Sequence, residues 1–92
     1  MHEYHAVKEL LDQVIVKAKA NGAARISKIK IVVGKLLGFE ESSLRLYFET
    51  ISEETIAAGS LLEIRYVDSN SQNKSGGREF YIDNIEIEKA AE

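Results

Sequence analysis

Both histidines of the chain fall within its first five residues, Met1-His2-Glu3-Tyr4-His5, and the donors there are well suited to a metal ion. The α-amine of Met1, the backbone amide nitrogen of His2 and Nδ1 of the His2 imidazole follow one another along a short stretch of chain. When the amide deprotonates, amine and amide close a five-membered chelate ring, and Nδ1 closes a six-membered one. Three nitrogens then lie near one plane, with Glu3 or His5 available as a fourth donor. A nitrogen-rich tetragonal set suits Ni(II) or Cu(II), copper being ahead on raw affinity. Protons must leave the amine, the amide and the imidazole, so affinity is expected to rise with pH. His2 is bulky, and initiator methionine is trimmed before small residues, so Met1 is expected to keep its amine in place. The plainer account is two exposed polar residues at a frayed terminus. On residue types alone it is the commoner one for so short a motif.

Other chemistry is poorly supplied. The chain has no cysteine, which removes disulfides, Cys-based zinc sites and thiol catalysis. A Ser-His-Asp arrangement would need His2 or His5, and no serine is placed beside either. Glu53-Glu54 and Glu86/Glu88 look like solvated surface carboxylates rather than a paired acid and base. An enzyme is not expected. Gly34-Lys35-Leu36-Leu37-Gly38 resembles half a phosphate loop, but it lacks the Gly-Lys-Ser/Thr that would open a helix. Nucleic-acid binding through Arg25, Lys28 and Lys30 is disfavoured by the net charge of −3 and by the lack of interleaved aromatic rings.

The elements that must position the N-terminal donors follow from periodicity. Val7, Leu10, Leu11, Val14, Ile15 and Ala18 form one apolar stripe at helical spacing, predicting a helix from about residue 4 to 21 that Asn21-Gly22 stops. A strand is expected over Arg25–Gly34, with Ile29, Ile31 and Val33 on one face and Lys28, Lys30 and Val32 on the other. A second helix is expected after Ser42 or Ser43 as N-cap, burying Leu44, Tyr47, Phe48 and Ile51. Glu40 and Glu41 lie near its positive end, and Thr55–Ala58 reads as its continuation or one more turn. Leu62, Ile64 and Tyr66 alternate with Glu63, Arg65 and Val67 in a further strand. In the last strand Phe80 and Ile82 are in phase while Ile85 and Ile87 are shifted by one, which implies a bulge near Asp83-Asn84. Residues 68–77 carry no apolar side chain and read as a flexible linker, long for a simple hairpin. The order α-β-α-β-β implies an α+β fold, a three-stranded sheet with two helices packed on one face.

At 92 residues and 45% apolar content, one modest core is expected. No apolar run approaches the ~20 residues of a membrane span, and the N-terminus lacks the pattern of a signal peptide, so a cytoplasmic location is expected. Charge is uneven: residues 1–38 carry seven Lys/Arg against three acids, and residues 39–92 carry five against twelve. Such polarity suits either a charged protein partner or two solvated faces, the second being the more usual.

The chain resembles the HypA/HybF family of hydrogenase-maturation proteins. The likeness is carried by Met1-His2-Glu3-Tyr4, the first helix, Ile29-Lys30-Ile31-Val32-Val33-Gly34-Lys35-Leu36 with Gly38, Phe48-Glu49, Thr55–Ile64, and the segment from Ser75 through Ile82. This resemblance implies a nickel-delivering accessory protein whose ligands are the Met1 amine, the backbone and imidazole nitrogens of His2, and the Glu3 backbone amide. The role of His5 stays open. Implied partners are the nickel-binding GTPase of the pathway (HypB) and, downstream, the hydrogenase large subunit or the urease machinery. The family also carries a zinc domain with two Cys-x-x-Cys pairs between its second and third strands. This chain has the linker 68–77 there, so zinc is not expected. Either a natural relative lost that domain or the segment was excised and bridged, and the Ser/Asn/Gly composition favours the second. The alternative function is a metal-free module that docks the GTPase.

Overall fold

The computed structural model describes residues 3–68 and 76–90. The elements are α1 (Glu3–Ala20), β1 (Ala23–Gly34), a 3₁₀ turn (Lys35–Leu37), α2 (Glu41–Ser52), β2 (Leu61–Val67) and β3 (Phe80–Lys89). The strands form one sheet in the order β2-β1-β3, β2 parallel to β1 and β3 antiparallel to it. Parallel pairing requires a crossover between β1 and β2, and α2 supplies it. Both helices lie on one face, and the α-β-α-β-β architecture is the expected one.

The stripe of α1 is buried as its spacing demands: Val7, Leu10, Leu11, Val14 and Ala18 join Ile26, Ile29, Ile31 and Val33 of β1 in the core. Leu44 and Phe48 close it from α2, with Tyr47 and Ile51 half-buried beside them. The anticipated slip in β3 is present. Lys30 pairs with Asn84 and Ile31 with Ile82, leaving Asp83 as the extra residue. That bulge returns Ile82 and Ile85 to the same helix-covered side, which a regular strand could not do. A second irregularity at Ser27 does the same for Ile26 and Ile29.

One expectation is corrected and another decided. The second helix starts at Glu41, with Glu40 rather than Ser42 or Ser43 at the capping position and no side-chain cap of its own. Of the two readings of Thr55–Ala58, a further turn is observed and a continuation of α2 is not. The helix ends at Ser52, Glu53 turns to an extended ψ of 139, Glu54 takes φ 65, and the chain folds into successive turns closed by Ala58 N–H to Thr55 O and Ser60 N–H to Ala57 O.

Of the expected linker 68–77, residues 69–75 lie outside the described residues. Its two ends are held. Asp68 pairs with Lys35 at 2.9 Å, and the Leu36 N–H donates to the Gly77 carbonyl.

The helix-free face of the sheet carries a lattice of ion pairs. Lys28 reaches Glu63 at 2.8 Å and Glu86 at 3.8 Å, and Lys30 reaches Glu63 at 3.7 Å. The hydrogen bond with Lys28 holds the Glu63 carboxyl below its ordinary value of 4.5, and the same bond raises Lys28 above 10.5. A carboxyl whose folded-state pKa is depressed adds stability above its unfolded value and loses it as the pH falls through the folded one. The destabilisation caused by Glu63→Gln is therefore expected to be present at neutral pH and to shrink below pH 4.5. Thermal midpoints of both proteins across pH 3–7 would check it, and a constant difference would contradict the pairing.

Candidate functional site

The start of α1 lies against the start of α2, and one hydrogen bond joins them. Glu3 Oε2 accepts the backbone N–H of Glu40 at 3.0 Å. Glu40 occupies the N-cap position of α2, and its own carbonyl accepts the N–H of Leu44 at 3.0 Å. The first N–H groups of a helix have no intrahelical acceptor, and the Glu3 carboxylate satisfies one of them, that of the N-cap residue itself, from 37 residues away. Because Glu3 opens α1, its own amide N–H is likewise free of any intrahelical bond.

Aromatic packing fixes the next turn. The Tyr4 ring meets Tyr47 edge-on with centroids 5.7 Å apart, and His5 edge-on at 6.0 Å. On the facing loop, Gly38 takes the left-handed conformation after the 3₁₀ turn. This turns the chain so that Phe39 is buried, with its ring edge-on to Phe80 at 5.4 Å. Between them opens a recess of about 470 Å³ whose wall includes Glu3, Tyr4, His5, Gly38, Phe39 and Tyr47.

Two of the expected ligands, Met1 and His2, lie outside the described residues. The other two, Glu3 and His5, both face the recess. Among the described residues no three His, Cys, Asp or Glu side chains are grouped as a metal site.

The Tyr66 hydroxyl of β2 is buried without a hydrogen-bond partner among the described residues. Burial first, then the charges of Glu41 and Glu3, push its pKa up against the opposing effect of Arg45. It stays a neutral phenol beneath a cluster of carboxylates. Arg45 ties this end together, bonding Glu41 at 2.9 Å and the Leu62 carbonyl at 2.7 Å. Glu40, Tyr47 and Tyr66 gave no functional signal in the sequence, since the contacts that bring them to Glu3 and Tyr4 are all long-range.

Glu3→Ala is expected to cost about 1 kcal/mol, the usual net worth of one hydrogen bond, while Glu3→Gln, which keeps an acceptor, costs less. Urea unfolding of the two variants would test this ordering. Equal losses would mean that the tie to Glu40 contributes nothing.

The sequence profile of the HypA family, described as hydrogenase/urease nickel incorporation, metallochaperone, matches residues 1–88. The chain belongs to this family. The hydrogenase maturation factor HypA of Dehalococcoides mccartyi is 34% identical over 80 residues, covering 87% of this chain and 67% of that protein. The HypA of Pelodictyon phaeoclathratiforme is 42% identical over 64 residues, covering 70% of this chain and 55% of its own length. The chain thus spans two thirds or less of these two relatives. The fold matches the solution structure of the Ni metallochaperone HypA from Helicobacter pylori with a TM-score of 0.79 at 20% identity, covering 98% of this chain and 100% of that one.

Proposed function

We propose that this chain carries Ni(II) for the maturation of nickel-iron hydrogenase, and of urease where that enzyme is made, holding the ion at its N-terminus. The match of the nickel-incorporation profile, which begins at the first residue, carries this reading. Four nitrogens would hold the ion: the Met1 amine, the His2 amide and imidazole, and the Glu3 amide. The position of Glu3 supports this reading. Glu3 is the first residue of α1, so its amide can lose a proton to the metal without breaking a helical hydrogen bond. The positive end of the helix favours the two amide anions so formed. With its carboxylate already engaged by Glu40, Glu3 serves through its backbone, and its side chain aims the first turn at the recess. His5, on the recess wall, stands by as an added donor.

Nickel is cargo in this reading, passed in the cytoplasm to a nickel-binding GTPase (HypB) and onward to the hydrogenase large subunit or the urease machinery. Residues 1–92 would form a single nickel-binding domain, with 68–77 a linker in place of the family's zinc domain and no zinc bound. Titration calorimetry of Ni(II) into the untagged protein, beside His2→Ala and His5→Ala, tests the assignment. One-to-one binding lost in the first variant and kept in the second supports the four-nitrogen chelate. Equal binding in wild type and His2→Ala would mean that nickel is held elsewhere, and no binding in either would leave a metal-independent docking module.

A further inference from the structure

Among the described residues β2 forms a free edge of the sheet, and read from the other end its sequence keeps its pattern of polarity and inverts its charge. Leu61-Leu62-Glu63-Ile64-Arg65-Tyr66-Val67 has Ile64 at its centre, flanked first by an acid and a base, then by apolar residues. We propose that this edge pairs antiparallel with β2 of a second copy of the chain, around a two-fold axis through Ile64.

The backbone has the right phase. Arg45 donates to the Leu62 carbonyl, so that carbonyl points away from β1. Alternate residues of a strand direct their N–H and C=O groups to the same side, which turns those of Leu62, Ile64 and Tyr66 outward together. Centred on Ile64, antiparallel pairing sets Ile64 against Ile64 and Leu62 against Tyr66 of the second copy, every one an outward-bonding residue. The Leu62 carbonyl accepts the incoming Tyr66 N–H on its second lone pair. Glu63 and Arg65 then face each other twice at the intervening positions, where cross-strand side chains come closest.

Charge identifies the occupant. Arg65 is exposed, and it is without an ion pair among the described residues, although Lys28, Lys30 and Glu63 beside it are all paired. In the two-fold pair the Glu63 of the second copy supplies the missing carboxylate. The lattice of the helix-free face then continues across the junction with alternating sign, Glu86, Lys28, Glu63 and the second copy's Arg65. Leu61, 60% exposed in the single chain, is set against Val67. The symmetry is closed, so assembly stops at two copies.

Sedimentation velocity across a concentration series tests the proposal. The wild-type protein is expected to shift with concentration from its 10.3 kDa monomer to twice that mass. Arg65→Glu places like charges opposite each other twice and is expected to weaken self-association about tenfold or more. Glu63→Arg acts likewise. An equimolar mixture of the two variants restores both opposite-charge pairs and is expected to dimerise as wild type does, while each alone stays monomeric. Thermal melts confirm that the variants are folded, and if Glu63→Arg fails to fold, Arg65→Glu against wild type decides alone. A wild-type protein monomeric at every concentration overturns the proposal, as does a dimer indifferent to Arg65→Glu or a mixture that fails to associate.

Discussion

Replacing His2 by alanine, or extending the chain in front of Met1, is expected to abolish tight Ni(II) binding while leaving the fold intact. His2 supplies two of the four nitrogens in the proposed chelate, one from its amide and one from its ring. Alanine keeps the amide and loses the six-membered ring that Nδ1 closes. Loss of a group that merely orients a ligand lowers metal affinity about 10- to 100-fold, and loss of the ligand itself should exceed that. An added N-terminal residue acts differently. It turns the Met1 amine into an amide, and the five-membered ring closed by amine and amide is lost. Among the described residues the core begins at Ala6, so thermal unfolding of the apo protein should move little. Calorimetry on the three proteins gives the result directly. Binding that survives an N-terminal extension would show that nickel is held elsewhere, and the Met1–Glu3 assignment would fall.

The fold was legible where patterns are local, and the contacts that shape the recess, which join distant elements, were not. The α1 stripe from Val7 to Ala18 and the alternation in β1 required nothing beyond periodicity, because burial on one side is what creates those periods. The β3 bulge was also legible, since Ile82 and Ile85 could share a face only if a residue such as Asp83 were extra. The N-cap was not. Ser42 and Ser43 are good caps by type, but Glu3 arrives from another helix to bond the Glu40 N–H, and no local rule weighs a partner 37 residues away. The same holds for Tyr47, whose contact with Tyr4 gives the recess one wall. The chelate proposed at Met1 and His2 was suggested by covalent connectivity alone, whereas the Glu3 amide entered only through the resemblance to the family.

Gly34→Ala is expected to be among the most destabilising single-methyl changes in the chain, although nothing in its backbone requires glycine. Its φ of −73 and ψ of 135 are open to any residue, so the constraint is space alone. A Cβ built there would fall on the carbonyl group of Gly77 and within 2.6 Å of the Arg78 nitrogen. These are backbone atoms and cannot rotate aside as a flexible side chain would. Moving them would strain the hydrogen bond from the Gly34 N–H to the Glu79 carbonyl and the one from the Leu36 N–H to the Gly77 carbonyl, which bring the chain into β3. The expected loss is about 3 kcal/mol, the upper end of the usual cost of overpacking, and roughly 12–24 °C in midpoint for a domain of this size. Gly38 is the control. Its φ of 71 is left-handed, but a Cβ there would meet nothing within 4 Å, so alanine should cost only about 1–2 kcal/mol of conformational strain. Urea unfolding of both variants separates the two causes. A Gly38 variant less stable than the Gly34 variant would mean that the close approach at Gly77 relaxes freely, and that the entry to β3 is held by something other than this contact.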